Sequence, residues 1–397
     1  MNYENWISYR YLIAGKGRFL SFLNFVSIAG IAIGVTALIV VTGVMTGFGN
    51  NLREKIIGTT PHLMIEKETG VPDYEKIVNQ VKSIDGVAGV STYVQGNIFL
   101  ENSGQAMGLV IRGIVPQTER EVTRVEQYLT KGKIDDLEGD HIIVGKELAR
   151  YFGYEVGDKV TLISPSAGLS GQSWHYQLTI SGIFSTGMAD YDMNLVLVNF
   201  KKAQEIFGLA PNMATGIGVK VNNPYQANEI KEKFYTLLGY SFIVKSWIDI
   251  NRNLFEALAL EKWGLFIILT LMVLVASFNI ISTLIVTVMS KVHDIGILQA
   301  IGVPKSSIRK IFTKQGIFIG GLGIFWGLIG GFGLSYILKT YIRVPAQIYS
   351  IDHVPVELQL SDILITITAA FLISYAASVY PAAKAAKLEP VEALRYE

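Results

Sequence analysis

The sequence contains no cysteine. That excludes disulfides, thiolate metal sites, catalytic thiols and a lipid attached through a cysteine, so the chain is not itself a lipoprotein. It also lacks a G-x-x-x-x-G-K-[ST] segment, and with it a phosphate-binding P-loop. Gly15-Lys16-Gly17-Arg18 has the wrong spacing for one, and Gly145-Lys146-Glu147 reads as a helix start. The five histidines, at 62, 141, 175, 293 and 353, show no metal-ligand spacing. Charge is scarce as well: 17% of residues are Asp, Glu, Lys or Arg, against about 25% in a typical soluble domain. The net charge of +1 gives no argument for a nucleic-acid partner.

The scarcity is local. Four stretches carry no charge at all: Phe19–Leu52, Trp263–Ser290, Gln315–Leu338 and Ile363–Ala383, together 107 residues. The other 290 residues hold all 67 charges, or 23%, an ordinary soluble composition. About 20 apolar residues suffice to cross a bilayer, so each stretch qualifies as a span. The first is too long for the hydrophobic region of a signal peptide and ends at no clear cleavage site. No charged residue lies inside a span, which argues against a proton-coupled transporter. If this chain drives transport, the energy comes from another chain.

Lys and Arg near the span ends set orientation. Arg10, Lys16 and Arg18 precede span 1. Lys291, Lys305, Arg309 and Lys310 lie between spans 2 and 3, and Lys384, Lys387 and Arg395 follow span 4. The loop between spans 3 and 4 has only Lys339 and Arg343. Both termini and the central loop are therefore expected in the cytoplasm. The fold class is a membrane protein of four transmembrane α-helices, with a large external α+β domain inserted between helices 1 and 2. The expected division is a cytoplasmic amphipathic segment 1–20, span 1 at 21–47, and the α+β domain with a helical stalk at 48–261. Span 2 follows at 262–289, a cytoplasmic coupling loop at 290–312 and span 3 at 313–338. An external loop at 339–361, span 4 at 362–383 and a cytoplasmic tail at 384–397 complete it.

Within the external domain, strand and helix signals alternate. A helix is expected from Pro72 to Ile84, and two lobes are expected, with strands between 89 and 115 pairing with strands between 213 and 247. A continuous helix from Asp249 to Ser290 would be roughly 60 Å long. The segment from Pro165 to His175, with Leu169 and Trp174, joins two strands. It is longer than the two to five residues usual for a hairpin loop. It reads either as a surface insertion or as a partner-binding loop, and Trp174 favours binding.

Span 3 holds eight glycines, several four residues apart, a spacing that permits close helix contact within the chain or between copies. Met45, Phe48, Phe255 and Leu258 fall near the external ends of spans 1 and 2, where an apolar cleft for lipid is one reading and ordinary packing the other. The loop Lys291-Val292-His293-Asp294-Ile295-Gly296-Ile297-Leu298 continues to Gly302, which with Pro304 ends a short helix. Such a helix lies at the membrane interface or docks in a partner's groove. On the docking reading, Ile295 and Leu298 are the expected contact residues.

These segments carry a family resemblance. Ser27-Ile-Ala-Gly-Ile-Ala-Ile-Gly-Val35, Val44-Met-Thr-Gly-Phe48 and Thr60-Pro-His62 resemble the start of the LolC/LolE family. These are the permease subunits of the lipoprotein-releasing (Lol) ABC transporter, within the MacB/FtsX-like permease superfamily. Asp294-Ile-Gly-Ile-Leu-Gln-Ala-Ile-Gly302 is similar to the family's coupling helix, and Pro390-Val-Glu-Ala-Leu-Arg-Tyr-Glu397 to its C-terminus. The resemblance implies a non-catalytic subunit in the inner membrane of a Gram-negative bacterium, with its large domain periplasmic. The implied partners are a LolD-like ATPase, a second permease subunit forming a homo- or heterodimer, a LolA-like periplasmic chaperone, lipoprotein substrates and membrane lipid. No cofactor binds directly; ATP and Mg enter through the ATPase. The 165–175 loop occupies the place of the family's chaperone-capturing hook but is shorter and lacks a proline near its tip. The chain then corresponds either to the permease without that task or to a homodimer-forming type serving both roles. Alternatives are a MacB-like efflux permease and an FtsX-like mechanotransmitter controlling cell-wall hydrolases.

Overall fold

Each of the four charge-free runs lies within one helix of the computed structural model, which describes residues 3–13, 18–102, 104–164, 174–342 and 353–387. The chain opens with α1 (Tyr3–Ile13) and α2 (Arg18–Thr59), then β1 (Leu63–Pro72), α3 (Tyr74–Lys82), β2 (Val87–Asn102) and β3 (Gln105–Ile114). It continues through α4 (Pro116–Val122), β4 (Leu129–Lys131), β5 (His141–Gly145), α5 (Lys146–Phe152), β6 (Lys159–Ser164) and β7 (Trp174–Phe184). Next come α6 (Ala189–Asn194), β8 (Leu195–Asn199), α7 (Phe200–Phe207), β9 (Met213–Val221), α8 (Ala227–Leu238) and β10 (Ile243–Ser246). The last helices are α9 (Trp247–Ile250), α10 (Arg252–Ser290), α11 (Val292–Ala300), α12 (Lys305–Tyr341) and α13 (Leu360–Ala386). Two compact units result. One comprises residues 1–49, 256–343 and 353–397, the other residues 50–255 and 344–352.

In the helical unit, α2, α10, α12 and α13 are each long and apolar enough to cross a membrane. The glycines of α12 are spent on close packing inside the chain. Gly323, Gly327 and Gly331 face Ile31, Val35 and Ile39 of α2, residues that share the same four-residue step. A methyl group added at these glycines would lie 2.7, 2.6 and 2.9 Å from the facing Cβ atoms. Gly316 and Gly320, on another face, meet Ser378 and Ser374 of α13. Absence of a side chain lets the backbones approach where no hydrophobic force drives helices together. Between α2 and α10, Ser27 and Thr283 share a hydrogen bond of 2.9 Å. One stripe of α10 (Val273, Ser277, Ile280, Leu284) is buried in its own bundle.

In the α+β unit, ten strands among the described residues form one hydrogen-bonded network. Part of it closes on itself: β2 pairs β3, β3 pairs β8, β8 pairs β5, β5 pairs β7, β7 pairs β6, and β6 returns to β2. Each of these six strands contributes two buried apolar residues spaced by two to a single core. They are Ile98 and Leu100, Leu109 and Ile111, Val196 and Val198, Ile142 and Val144, Leu178 and Ile180, and Val160 and Leu162. Side chains alternate faces along a strand, so this spacing fills a small barrel from within. The short β4 pairs β7 at one end of the sheet, and the three remaining strands extend its other end in the order β10-β1-β9-β2. They carry a second core, where Val81 of α3 and Ile230 and Phe234 of α8 meet Leu63, Ile65, Ile217 and Val219.

The two lobes share one strand. The first half of β2, Val87 to Tyr93, pairs β9, and the second, Tyr93 to Asn102, pairs β3. The expected pairing of residues 89–115 with 213–247 holds for β2 with β9, whereas β3 takes β8 as its outer neighbour. Two local expectations need correction. Pro72 ends β1 rather than starting a helix; α3 begins only after Asp73, whose backbone is left-handed at φ 45°. The helix before span 2 is also interrupted. Ser246 caps α9, its Oγ accepting from the Asp249 N–H at 3.2 Å while Asp249 Oδ2 accepts from the Ser246 N–H at 3.0 Å. Asn251 then breaks the helix, its Nδ2 donating to the Trp247 carbonyl at 2.8 Å, and α10 starts at Arg252.

Candidate functional site

The loop between spans 2 and 3 is built around α11. Lys291 precedes it and bridges to Asp294 at 3.0 Å. The Lys291 ammonium also lies 5.2 Å from the centre of the Tyr11 ring of α1. Burial, with the Asp294 charge beside it, pushes the Tyr11 phenol up to about 12, so it stays a neutral hydroxyl. Helix α1 is fastened to the start of α12 by three further contacts. Glu4 accepts from Lys314 Nζ at 2.9 Å, Tyr3 donates to Ser307 at 2.9 Å, and Ser8 donates to the Ile311 carbonyl at 2.9 Å. The Lys314 hydrogen bond holds the Glu4 carboxyl below its ordinary value, with burial opposing it.

These contacts set which side of α11 is free. Ile295 is 0% exposed and packs with Val288, Ile308, Phe312, Ala382 and Ala385. Gly296 is buried too, while Val292 and Leu298 are half-buried. The outward face is His293, Ile297, Ala300 and Ile301; Ile297 is 45% and Ile301 72% exposed. The expectation of Ile295 as a docking residue therefore needs correction. Its side chain roots α11 in the protein's own core, and Ile297 and Ile301 are the apolar groups that a partner would meet.

The apolar residues proposed for a lipid cleft fall in both units. Met45, Phe48 and Leu258, all half-buried, belong to the helical unit. Phe255 belongs to the α+β unit, where its ring meets Trp247 edge-on at 5.5 Å and lies 5.6 Å from the Arg53 guanidinium.

Near Met45 and Leu258 in sequence lies a polar cluster that sequence reasoning missed. Lys262 of α10 pairs with Asp362 of α13 at 2.9 Å. Thr46 of α2 accepts from Lys262 at 3.1 Å and donates to Asp362 at 2.9 Å. Three spans are thereby tied at one end. The sequence signal was available, because Lys262 and Asp362 each immediately precede a charge-free run.

In the α+β unit, the proposed partner-binding loop joins β6 to β7. Pro165 and Leu169 lie outside the described residues. Trp174 and His175 begin β7, paired with Ser164 and Ile163. Trp174 is 58% exposed, and His175 Nε2 lies 3.8 Å from Glu101 Oε2. A cavity of about 390 Å³ elsewhere in this unit is bordered by Arg112 and Glu119, both buried and 3.8 Å apart. The Arg112 guanidinium stacks on Tyr93 at 4.4 Å. Among the described residues no group of His, Asp or Glu is arranged to hold a metal ion.

A helical unit with four helices long and apolar enough to cross a membrane, together with a strand-rich second unit, fits a membrane protein with a large domain outside the bilayer. Residues 24–236 match the model of the MacB-like periplasmic core domain, and residues 266–390 that of the FtsX-like permease C-terminal domain. The chain is a multi-pass membrane permease of this type. A lipoprotein-releasing system transmembrane protein LolC from Neisseria meningitidis is 34% identical, over 99% of both chains. A LolE from Haemophilus influenzae is 26% identical, again over 99% of both. The periplasmic region of MacB from Actinobacillus actinomycetemcomitans, a solved structure, aligns with 50% of this chain and 94% of its own. Its identity is 13% and its TM-score 0.35. The chain belongs to the LolC/LolE family of lipoprotein-releasing system transmembrane proteins, and is a non-catalytic permease subunit.

Proposed function

We propose that this chain takes lipid-anchored proteins from the outer leaflet of the inner membrane and passes them to a soluble periplasmic chaperone. The observation that carries this reading is similarity to LolC over the full length of both chains. A separate LolD-like ATPase supplies the energy and docks on the outward face of α11 at Ile297 and Ile301. Mg and ATP belong to that subunit. The α+β domain between spans 1 and 2 is periplasmic and both termini are cytoplasmic, a topology that the distribution of Lys and Arg supports. The second permease subunit is a copy of this chain or a close relative.

Energetics dictates a covered route for the cargo. Burial of an acyl chain contributes about 0.8 kcal/mol per CH₂, so three chains of roughly 16 carbons represent on the order of 40 kcal/mol. Release into bare water is excluded at that cost. The lipid passes from bilayer to an apolar cleft at the outer ends of spans 1 and 2, involving Met45, Phe48 and Leu258, and then to the chaperone. The 165–175 loop, with Trp174 exposed at its base, is the proposed chaperone contact.

Reconstitution tests the reading. Proteoliposomes holding this chain, the second permease and the ATPase should release a lipoprotein when ATP and chaperone are both present. ATP-driven export of small solutes without lipoprotein release would overturn it in favour of an efflux permease.

A further inference from the structure

Where α12 begins and α13 ends, the helical unit has a groove of about 660 Å³. Its rim carries five cations, Lys305, Arg309, Lys310, Lys314 and Lys387, and no carboxylate lines it. Its apolar wall is formed by Ile317, Tyr375, Val379 and Ala383. Glu4 of α1 approaches from one side, 2.9 Å from Lys314 and 3.9 Å from Lys310. It offsets one charge of the five. Lys305 and Arg309 have no ion pair among the described residues.

We propose that this groove binds the headgroup and upper chain of an anionic phospholipid of the leaflet facing α11. Two features select that ligand. A soluble anion needs the cations but not the apolar wall, and a neutral lipid needs the wall but not the cations. An anionic headgroup carried on a hydrocarbon chain uses both, and in a bilayer that is an anionic phospholipid. The position, at the ends of two membrane-grade helices, places the cations at headgroup level and the wall at the level of the first methylenes. Basic pockets between spans on the cytoplasmic side are recurrent sites of this kind. The bound lipid would brace α12 against α13 beside α11, because Ile308 and Phe312 of α12 and Ala382 and Ala385 of α13 form the core in which Ile295 sits.

The inference rests on reading α12 and α13 as membrane spans with these ends cytoplasmic. The experiment is native mass spectrometry of the delipidated full chain in detergent, titrated with phosphatidylglycerol or phosphatidylcholine. Detergent has no sidedness, so a wrong orientation does not change the result; a reporter fused at residue 387 reads orientation separately. Phosphatidylglycerol should be retained in clear preference to phosphatidylcholine. R309Q should weaken it by about fivefold, as expected for one basic group near a lipid phosphate, while K384Q, outside the groove, should leave it unchanged. Retention of phosphatidylcholine by R309Q at the wild-type level reports an intact fold. Three results would overturn the proposal: no preference for the anionic lipid, equal losses in R309Q and K384Q, or displacement of the lipid by equimolar inorganic phosphate. The first removes the site, the second makes it a diffuse surface attraction, and the third makes it a site for soluble phosphate.

Discussion

Lys262 and Asp362 form an ion pair at 2.9 Å between α10 and α13, with Thr46 of α2 hydrogen-bonded to both. The Asp362 side chain is largely buried, and Lys262 reaches both of its carboxylate oxygens. The pair sets the depth at which two spans stop, since neither charge can be drawn further into hydrocarbon without its partner.

Removing one member should therefore loosen three helices together. Hydrogen bonds to charged groups contribute about 1.5–3 kcal/mol, and D362N should lower thermal stability in detergent by an amount in that range. The swapped double variant K262D/D362K should recover part of the loss. A loss in the double variant equal to the sum of the losses in K262D and D362K alone, measured by thermal unfolding, would show that the two residues act independently.

The outward and inward faces of α11 should separate under mutation. I297D changes an exposed position, so the fold should be retained to within about 0.5 kcal/mol, while stimulation of the partner ATPase and lipoprotein release are lost. I295A removes a fully buried side chain and should cost about 2–5 kcal/mol of stability. ATPase stimulation and thermal unfolding on both variants check the assignment. Normal coupling in I297D would place the docking surface elsewhere.

The parts legible in the sequence are those where composition itself is the constraint. A span must be apolar over its whole length because lipid offers no polar partner, so the four charge-free runs mark four helices directly. The paired apolar residues of the barrel strands, such as Ile142 with Val144, follow the two-residue period. Closure of the barrel is not legible, because the contact of Leu100 with Leu162 depends on how β2 bends rather than on either residue type. The pairing of Lys262 with Asp362 crosses 100 positions and depends on how two helices are packed. Helix α11 is opaque for another reason. Val292, Ile295, Ile297, Leu298 and Ile301 lie all around it, so periodicity cannot select a face, and only the core formed by α12 and α13 does.

The glycine steps of α12 should tolerate nothing larger. A side chain at Gly327 would meet Val35 Cβ at 2.6 Å and the Ala32 carbonyl at 2.9 Å, so G327L should force α12 from α2. Overpacking of this sort costs about 1–3 kcal/mol. Gly321 has open space around its missing side chain, and G321A should be neutral or slightly stabilising, alanine being the better helix former. Detergent-solubilised melting temperatures of the two variants give the comparison. Similar losses in both would mean that the glycines matter for backbone flexibility rather than for contact with α2.

His62 should make the α+β domain sensitive to acid. It is buried just before β1, where its Nδ1 lies 3.2 Å from the backbone nitrogen of Val221 and its own carbonyl accepts from the Trp247 N–H at 3.0 Å. Burial, aided by the positive charges of Lys220 and Arg124 and opposed by the Val221 carbonyl, also 3.2 Å from Nδ1, lowers its pKa to about 4, against about 6.5 for an unperturbed imidazole. The unfolded chain therefore binds the proton more readily than the native one between those values. Stability from this group is complete above about pH 6.5 and is lost progressively as pH falls through about 4. H62Q cannot titrate, so its stability should vary less across that interval than the wild type's. Denaturant unfolding of the full chain at pH 7.5 and pH 5, followed by protection of the β1 and β10 amides, measures the difference. An identical pH dependence in the two proteins would assign the acid sensitivity to the domain's carboxylates instead.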